Sequence, residues 1–214
     1  MAYFVQMVKF SNWIVERHQR RTFQQNFSKI AGQMGEFRLV PRIIRKADFT
    51  TSKWKNGGGI THEIARSDVG ENFGWRLSVA EVASDGPFSL FPGHQRILTV
   101  VEGKGMKLAS ANTAYHAGHL VPIRFSGDEN IVGKLIDGPC RDFNLIFDPK
   151  RFSAEITVLH GAQKLGGCFA VYLVSGAAGG MEEGDIAFLE GADGFVQTSE
   201  DAVALAIHLN PISK

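Results

Sequence analysis

The chain has 214 residues, 44% of them hydrophobic and 21% charged, a globular composition that excludes a disordered or low-complexity polymer. Lys and Arg number 23 against 22 Asp and Glu, so the formal net charge is +1 and a generally basic nucleic-acid surface is not expected. Cys140 and Cys168 form no CxxC pair and read as reduced thiols. No apolar run approaches the roughly 20 residues of a membrane helix and no signal-peptide pattern is present, so a cytoplasmic protein is expected.

Residues 1–40 are a basic extension. Lys9, Arg17, Arg20, Arg21, Lys29 and Arg38 stand against Glu16 and Glu36. The stretch reads as a poorly ordered segment, with an amphipathic helix or a loose basic arm as the other readings. Met34 lies just before regular patterning begins, so a start codon placed too early would also account for it.

Residues 41–214 have a different texture, with short apolar runs punctuated by Gly, Asp and Pro and no sustained helical period. Trp75, Leu77 and Val79 alternate with Arg76, Ser78 and Ala80, the pattern of a strand. Further strands are predicted at residues 96–101, 134–136, 143–147, 156–159, 169–175, 186–189 and 203–209. The chain is predicted to be all-β. A weak internal echo links Ile97–Gly103 to Ala170–Gly176, each an apolar run ending at a glycine. Twice repeated, this cadence suggests two cupin-type units.

The densest motif runs Trp54-Lys55-Asn56-Gly57-Gly58-Gly59-Ile60-Thr61-His62-Glu63-Ile64. Three glycines let the backbone approach a ligand or another strand closely. A nucleotide loop would need Lys-Ser/Thr after them, which is absent. A glycine-rich crossing with Trp54 as a core plug and a ligand loop both remain open. Beyond it, alternation sets Thr61, Glu63 and Ala65 opposite Ile60, His62 and Ile64, and Asp142 and Asn144 opposite Phe143 and Leu145. These small or polar faces are either solvated or the walls of a cavity. In a cavity, Glu63 suits an amine-like or amidine-like group, and Arg76 suits a carboxylate. Glu63 and Asp142 also form a candidate acid–base pair.

Trp54–Ile64, Gly74–Ala80 and Asp85–Arg96 together resemble the HutD/Ves family, as do Phe125-Ser126-Gly127-Asp128, Asp137-Gly138-Pro139 and Asp142–Leu145. The likeness runs from about Arg42 almost to the C-terminus, in order and spacing. It implies an all-β, two-cupin (bicupin) double-stranded β-barrel spanning residues 41–214. It also implies a bacterial regulator of histidine catabolism without a chemical step, binding a pathway intermediate such as urocanate or formiminoglutamate. His62 departs from the family, which more often has Arg there.

Cupin metal sites place two His one residue apart on a strand, and no His-x-His occurs among the seven histidines. His116 and His119 are three apart and read as loop residues, while His94 and His208 read as structural. No nucleophile elbow is present. The expected binding set is therefore Lys55, Asn56, Thr61, Glu63, Arg76, Arg96, Asp142 and Asn144, with no catalytic residue, metal or cofactor. Glu63 and Asp142 would accept from an imidazole or formimino group, and Arg76 and Lys55 would hold a carboxylate. The alternatives are a cupin-type isomerase or hydrolase acting on a small polar metabolite, and an interaction protein docking through its basic arm. The expected partner is the small metabolite, with neither nucleic acid nor membrane, and cupin analogy allows a homodimer.

Overall fold

The computed structural model describes residues 41–68, 73–189 and 194–212. The expected basic extension at residues 1–40 lies outside them. Strand β1 is Arg42–Ile44, followed by a 3-10 turn at Lys46–Asp48, β2 (Thr50–Lys53), β3 (Gly59–Arg66), β4 (Trp75–Val82) and β5 (Gly86–Pro87). Next come β6 (Gln95–Glu102), β7 (Met106–Ala109), β8 (Ala114–Ala117), β9 (Ile123–Ser126), β10 (Val132–Leu135) and β11 (Cys140–Phe147). The chain continues with β12 (Phe152–His160), β13 (Lys164–Gly166), β14 (Ala170–Ser175), β15 (Ile186–Phe188), β16 (Phe195–Gln197) and β17 (Val203–Pro211). The all-β expectation holds, and no helix among the described residues is long and apolar enough to cross a membrane.

Among the described residues four sheets form, ordered β5-β10-β7-β8, β2-β3-β4-β11-β6-β9, β1-β15-β14-β17-β12 and β13-β16. The six-stranded sheet is covered on both faces. Trp75, Leu77, Val79, Phe143, Leu145 and Phe147 pack against Tyr172, Phe188, Leu205 and Ile207 of the five-stranded sheet. On its other face Ala80, Val82, Leu98 and Val100 pack against Met106, Leu108 and Ala117 of the four-stranded sheet. Between the five- and two-stranded sheets lies a third cluster, built from small and aliphatic residues including Val171, Leu173, Ala187, Val196, Ala204 and Ala206. Period-two alternation therefore sends neighbours on β4 and β11 into different cores.

The echoed segments occupy comparable places. β6 and β14 each end at a glycine with positive φ, Gly103 (+91°) and Gly176 (+80°). A Cβ at Gly103 would sit 2.7 Å from the Pro139 carbonyl oxygen, beside the start of β11, the partner of β6. A Cβ at Gly176 would sit 2.7 Å from Cα of Ala202, beside the start of β17, the partner of β14. Both strand pairs also carry a register irregularity near that end.

The expected grouping of Ala65 with Thr61 and Glu63 is corrected by a β-bulge. Glu63 pairs with Ser78, but the register shifts before Ala65, which pairs with Leu77. Ala65 consequently packs against the core between the large sheets, as does Ile64. Arg66 takes the place across from Arg76, on the face of Glu63.

The glycine run is the β2–β3 turn. Trp54 N–H donates to the Gly59 carbonyl at 2.9 Å, and Gly57 N–H to the Trp54 carbonyl at 3.0 Å. Gly57 has φ +72° and open space around it, whereas a Cβ on Gly59 would lie 2.4 Å from the Glu81 carbonyl oxygen and 3.1 Å from the Trp54 ring. The two positions therefore need glycine for different reasons. Gly59→Ala, which forces backbone apart, should cost about 2–4 kcal/mol. Gly57→Ala, which strains only its own φ, should cost about 1–2 kcal/mol. Urea unfolding of both variants checks this order, and Gly57→Ala proving the worse would contradict the close approach at Gly59.

Candidate functional site

On the face of the six-stranded sheet toward β5 and the 88–94 segment, the apolar packing gives way to a small cavity of about 80 Å³. Thr61 of β3, Arg76 and Ser78 of β4, Arg96 of β6 and Asn144 of β11 reach it, and Trp54, Phe88 and Phe91 close its sides. Four of the eight expected residues, Thr61, Arg76, Arg96 and Asn144, are thus brought together.

Arg96 is 5% exposed despite its charge. Its guanidinium stands 5.1, 5.4 and 5.0 Å from the ring centroids of Phe88, Phe91 and Phe125, within reach of their negative faces. Nη2 donates to Asn144 Oδ1 at 2.8 Å, and Nη1 donates to the Ser89 carbonyl at 3.4 Å. Asn144 Nδ2 in turn donates to Asp142 Oδ1. Asn144 therefore bridges two buried groups of opposite charge. Arg96 Nε and Asp142 Oδ2 are buried without a hydrogen-bond partner among the described residues. Burial pushes the Asp142 carboxyl up to about 7, against the pull of Arg96 and Asn144. Burial likewise lowers Arg96 to about 10, with Asp142 opposing and the neighbouring Arg76 adding to the fall.

Arg76 is oriented by Glu63, whose Oε2 accepts from Arg76 Nε at 2.6 Å. The same carboxylate accepts from Arg66 Nε at 2.8 Å and Arg66 Nη2 at 2.6 Å. Burial alone would raise the Glu63 carboxyl, but the hydrogen bonds from Arg66 and Arg76 prevail and hold it below the usual range. Trp54 Nε1 donates to Thr61 Oγ1 at 2.8 Å, fixing another wall.

The remaining expected residues have other parts. Glu63 is engaged by two arginines and Asp142 is fully buried behind Asn144, and neither carboxylate is part of the cavity lining. Asn56 caps the glycine turn, its Oδ1 accepting from Gly58 N–H at 3.0 Å. Lys55 is exposed in that turn, away from the cavity lining. Sequence reading missed Phe88, Phe91 and Phe125, since aromatic side chains in loops and at a sheet edge look like core until they are seen around a guanidinium. Ser89 was likewise missed, while Ser78 stood on the expected cavity face beside Arg76 but outside the expected binding set.

The histidines among the described residues do not gather. His94 bonds the Pro92 and Phe73 carbonyls at 3.0 and 2.9 Å. His116 is in β8 and not in a loop, and His208 is in β17. Among the described residues no three His, Cys, Asp or Glu side chains come together as metal ligands. His62 faces away from this cavity, its Nδ1 2.9 Å from Thr51 Oγ1.

The HutD family model matches residues 46–210 of this chain. An uncharacterised 21.2 kDa protein of Pseudomonas putida, from the hutC 3′ region, is 40% identical over 147 residues, covering 66% of this chain and 76% of that protein. The structure of HutD from Pseudomonas fluorescens SBW25 (formate condition) superposes with a TM-score of 0.69 at 34% identity, covering 81% of this chain and all of the other. Likeness of fold alone extends to the cupin-like oxalate decarboxylase of Lactobacillus farciminis, with a TM-score of 0.59 at 10% identity over 80% of this chain and 87% of that one.

Asp142 makes the site's stability depend on pH. The folded protein binds its proton more tightly than the unfolded chain, in which an aspartate titrates near the ordinary 3.8. That contribution is complete below about pH 4 and is lost as pH rises through about 7. Asp142→Asn removes the titration. Its stability relative to the parent should therefore climb between pH 4.5 and 7.5 by on the order of 2 kcal/mol. Urea unfolding across that range measures it, and a difference that fell with pH would contradict the buried, unpaired carboxylate.

Proposed function

The chain belongs to the HutD family, linked to histidine-utilisation genes, and from that premise we propose a ligand-sensing regulator of histidine catabolism that performs no chemical step. The observation carrying this reading is the convergence of Arg76 and Arg96 on one small cavity, with Thr61, Ser78, Ser89 and Asn144 beside them. Two guanidinium groups in a low-dielectric, aromatic-sided space select a carboxylate and exclude cations. A cavity of about 80 Å³ takes the carboxylate end of a small metabolite and leaves its remainder toward the opening. Urocanate and formiminoglutamate both carry such a group, and the precise placement of Arg76 by Glu63 supplies the preorganised donor it needs.

In this reading the architecture is a two-cupin one. The first unit keeps a polar interior, and the second, whose interior cluster is aliphatic and alanine-rich, is a scaffold. The protein works in the cytoplasm, with the metabolite as its partner. The acid Asp142, titrating near neutrality behind Asn144, favours one other reading, a cupin-type isomerase or hydrolase.

A thermal-shift and calorimetry panel of urocanate, formiminoglutamate, histidine and glutamate tests both. One pathway intermediate should raise the melting temperature by several degrees at saturation without being consumed. Arg76→Ala should weaken its affinity at least about tenfold. No shift with either intermediate, or unchanged affinity in Arg76→Ala, would overturn the sensor, and consumption of the ligand would establish the enzyme.

A further inference from the structure

The opposite face of the same sheet opens into a much larger cleft, of about 660 Å³, where the six- and five-stranded sheets diverge. Its size lies within the range of small-molecule sites. His62, Val79, Glu81 and Arg141 come from the shared sheet, Tyr172 from β14, and Phe49 and Lys46 from the β1–β2 connection. Glu182 and Glu183 stand on the turn before β15.

Most charges here are already engaged. Arg141 Nη2 lies 2.9 Å from Glu81 Oε1 and Nη1 lies 3.2 Å from Glu102 Oε2. Arg45 Nη1 lies 2.6 Å from Asp185 Oδ2, and Asp185 also accepts from the Lys46 and Glu182 backbone N–H groups at 2.9 Å each. That carboxylate pins the Lys46 segment to the Glu182–Asp185 turn, which sets one wall of the cleft.

Three charges lack an ion-pair partner among the described residues, the Lys46 ammonium and the Glu182 and Glu183 carboxylates. The floor adds an independent sign. Tyr172, which lines the cleft, is 3% exposed and packs its ring 4.9 Å from that of Phe143, yet its hydroxyl makes no hydrogen bond among the described residues. A buried phenol ordinarily finds a partner. His62 Nε2 is also buried without a hydrogen bond, although Glu81 Oε1 is 3.3 Å away.

We propose that this cleft is a second binding site, separate from the Arg76–Arg96 cavity, for a small zwitterion of the free α-amino-acid class. The ligand's carboxylate pairs with Lys46, its ammonium with Glu183 or Glu182, and the Tyr172 hydroxyl completes its hydrogen bonding. Phe49 and Val79 receive its side chain. A plain anion would leave two carboxylates facing it, and a plain cation would meet the Lys46 ammonium. A ligand carrying both charges meets the Lys46 ammonium and one of the two carboxylates at once.

The test is a thermal-shift panel of the twenty free amino acids on the full chain, followed by calorimetry of those that respond. At least one should bind, and Tyr172→Phe and Glu183→Gln should each weaken it by about fivefold or more, with binding retained in Arg76→Ala. Glu183 is exposed, so its variant keeps the fold and guards against misfolding of Tyr172→Phe. No amino acid binding, or binding untouched by Glu183→Gln, overturns the proposal. So does binding abolished by Arg76→Ala, which would place the ligand in the smaller cavity. Because the sensor reading rests on urocanate and formiminoglutamate at Arg76, each proposal can fail without the other.

Discussion

Every residue of β4 and β11 is committed by the fact that their sheet is covered on both sides. Odd-numbered positions from Trp75 to Val79 enter the core shared with the five-stranded sheet, and even-numbered positions from Arg76 to Val82 face the four-stranded sheet. In β11, Phe143, Leu145 and Phe147 go one way while Asp142, Asn144 and Ile146 go the other. The dense aromatic packing on one face anchors the strands and sets their register. That fixed register lets the opposite face hold charged groups at defined separations. Two cavities of different character follow, back to back on one sheet.

The charged groups on the cavity face are expensive, and their neighbours show how the cost is offset. Arg96 has three aromatic faces around it in place of water, together with one amide and one carbonyl acceptor. Its distant counter-charge Asp142 is reached only through Asn144, and each keeps an unpaired atom. A buried pair arranged this way contributes little to stability and much to geometry. The Glu63 fork works differently, since it is partly buried near the surface and holds two arginines by three direct hydrogen bonds. One arrangement keeps charge deep in the protein, and the other aims a guanidinium from the rim.

What the sequence revealed follows the same physics. The Trp75–Ala80 strand was legible because its faces differ sharply in polarity, and β6, β11, β14 and β17 were legible as apolar runs between turn residues. The β7–β8 hairpin was not, because its outward residues are exposed and its inward ones few. The bulge was hidden because Ile64 and Ala65 are both apolar, so either parity looks acceptable. Arg76, Arg96, Thr61 and Asn144 stood out as polar residues inside strand patterns. Lys55 and Asn56 were drawn in by a glycine run that turned out to be a turn. The cleft around Tyr172 left no trace, since its walls come from segments more than a hundred residues apart and contain no local motif.

The bulge in β3 bears on how the length of this strand can change. Deleting Ile64 would leave Glu63, Ala65 and Arg66 in regular alternation, with Arg66 still across from Arg76 on the side of Glu63 and one apolar side chain lost from the layer beside Trp75 and Leu77. Substitutions at Ile64 that keep a medium-sized apolar side chain disturb none of this. At this point the strand absorbs the loss of one residue without turning its faces, whereas a deletion within the regular stretch before Glu63 would send the side chains on one side of it to the opposite face.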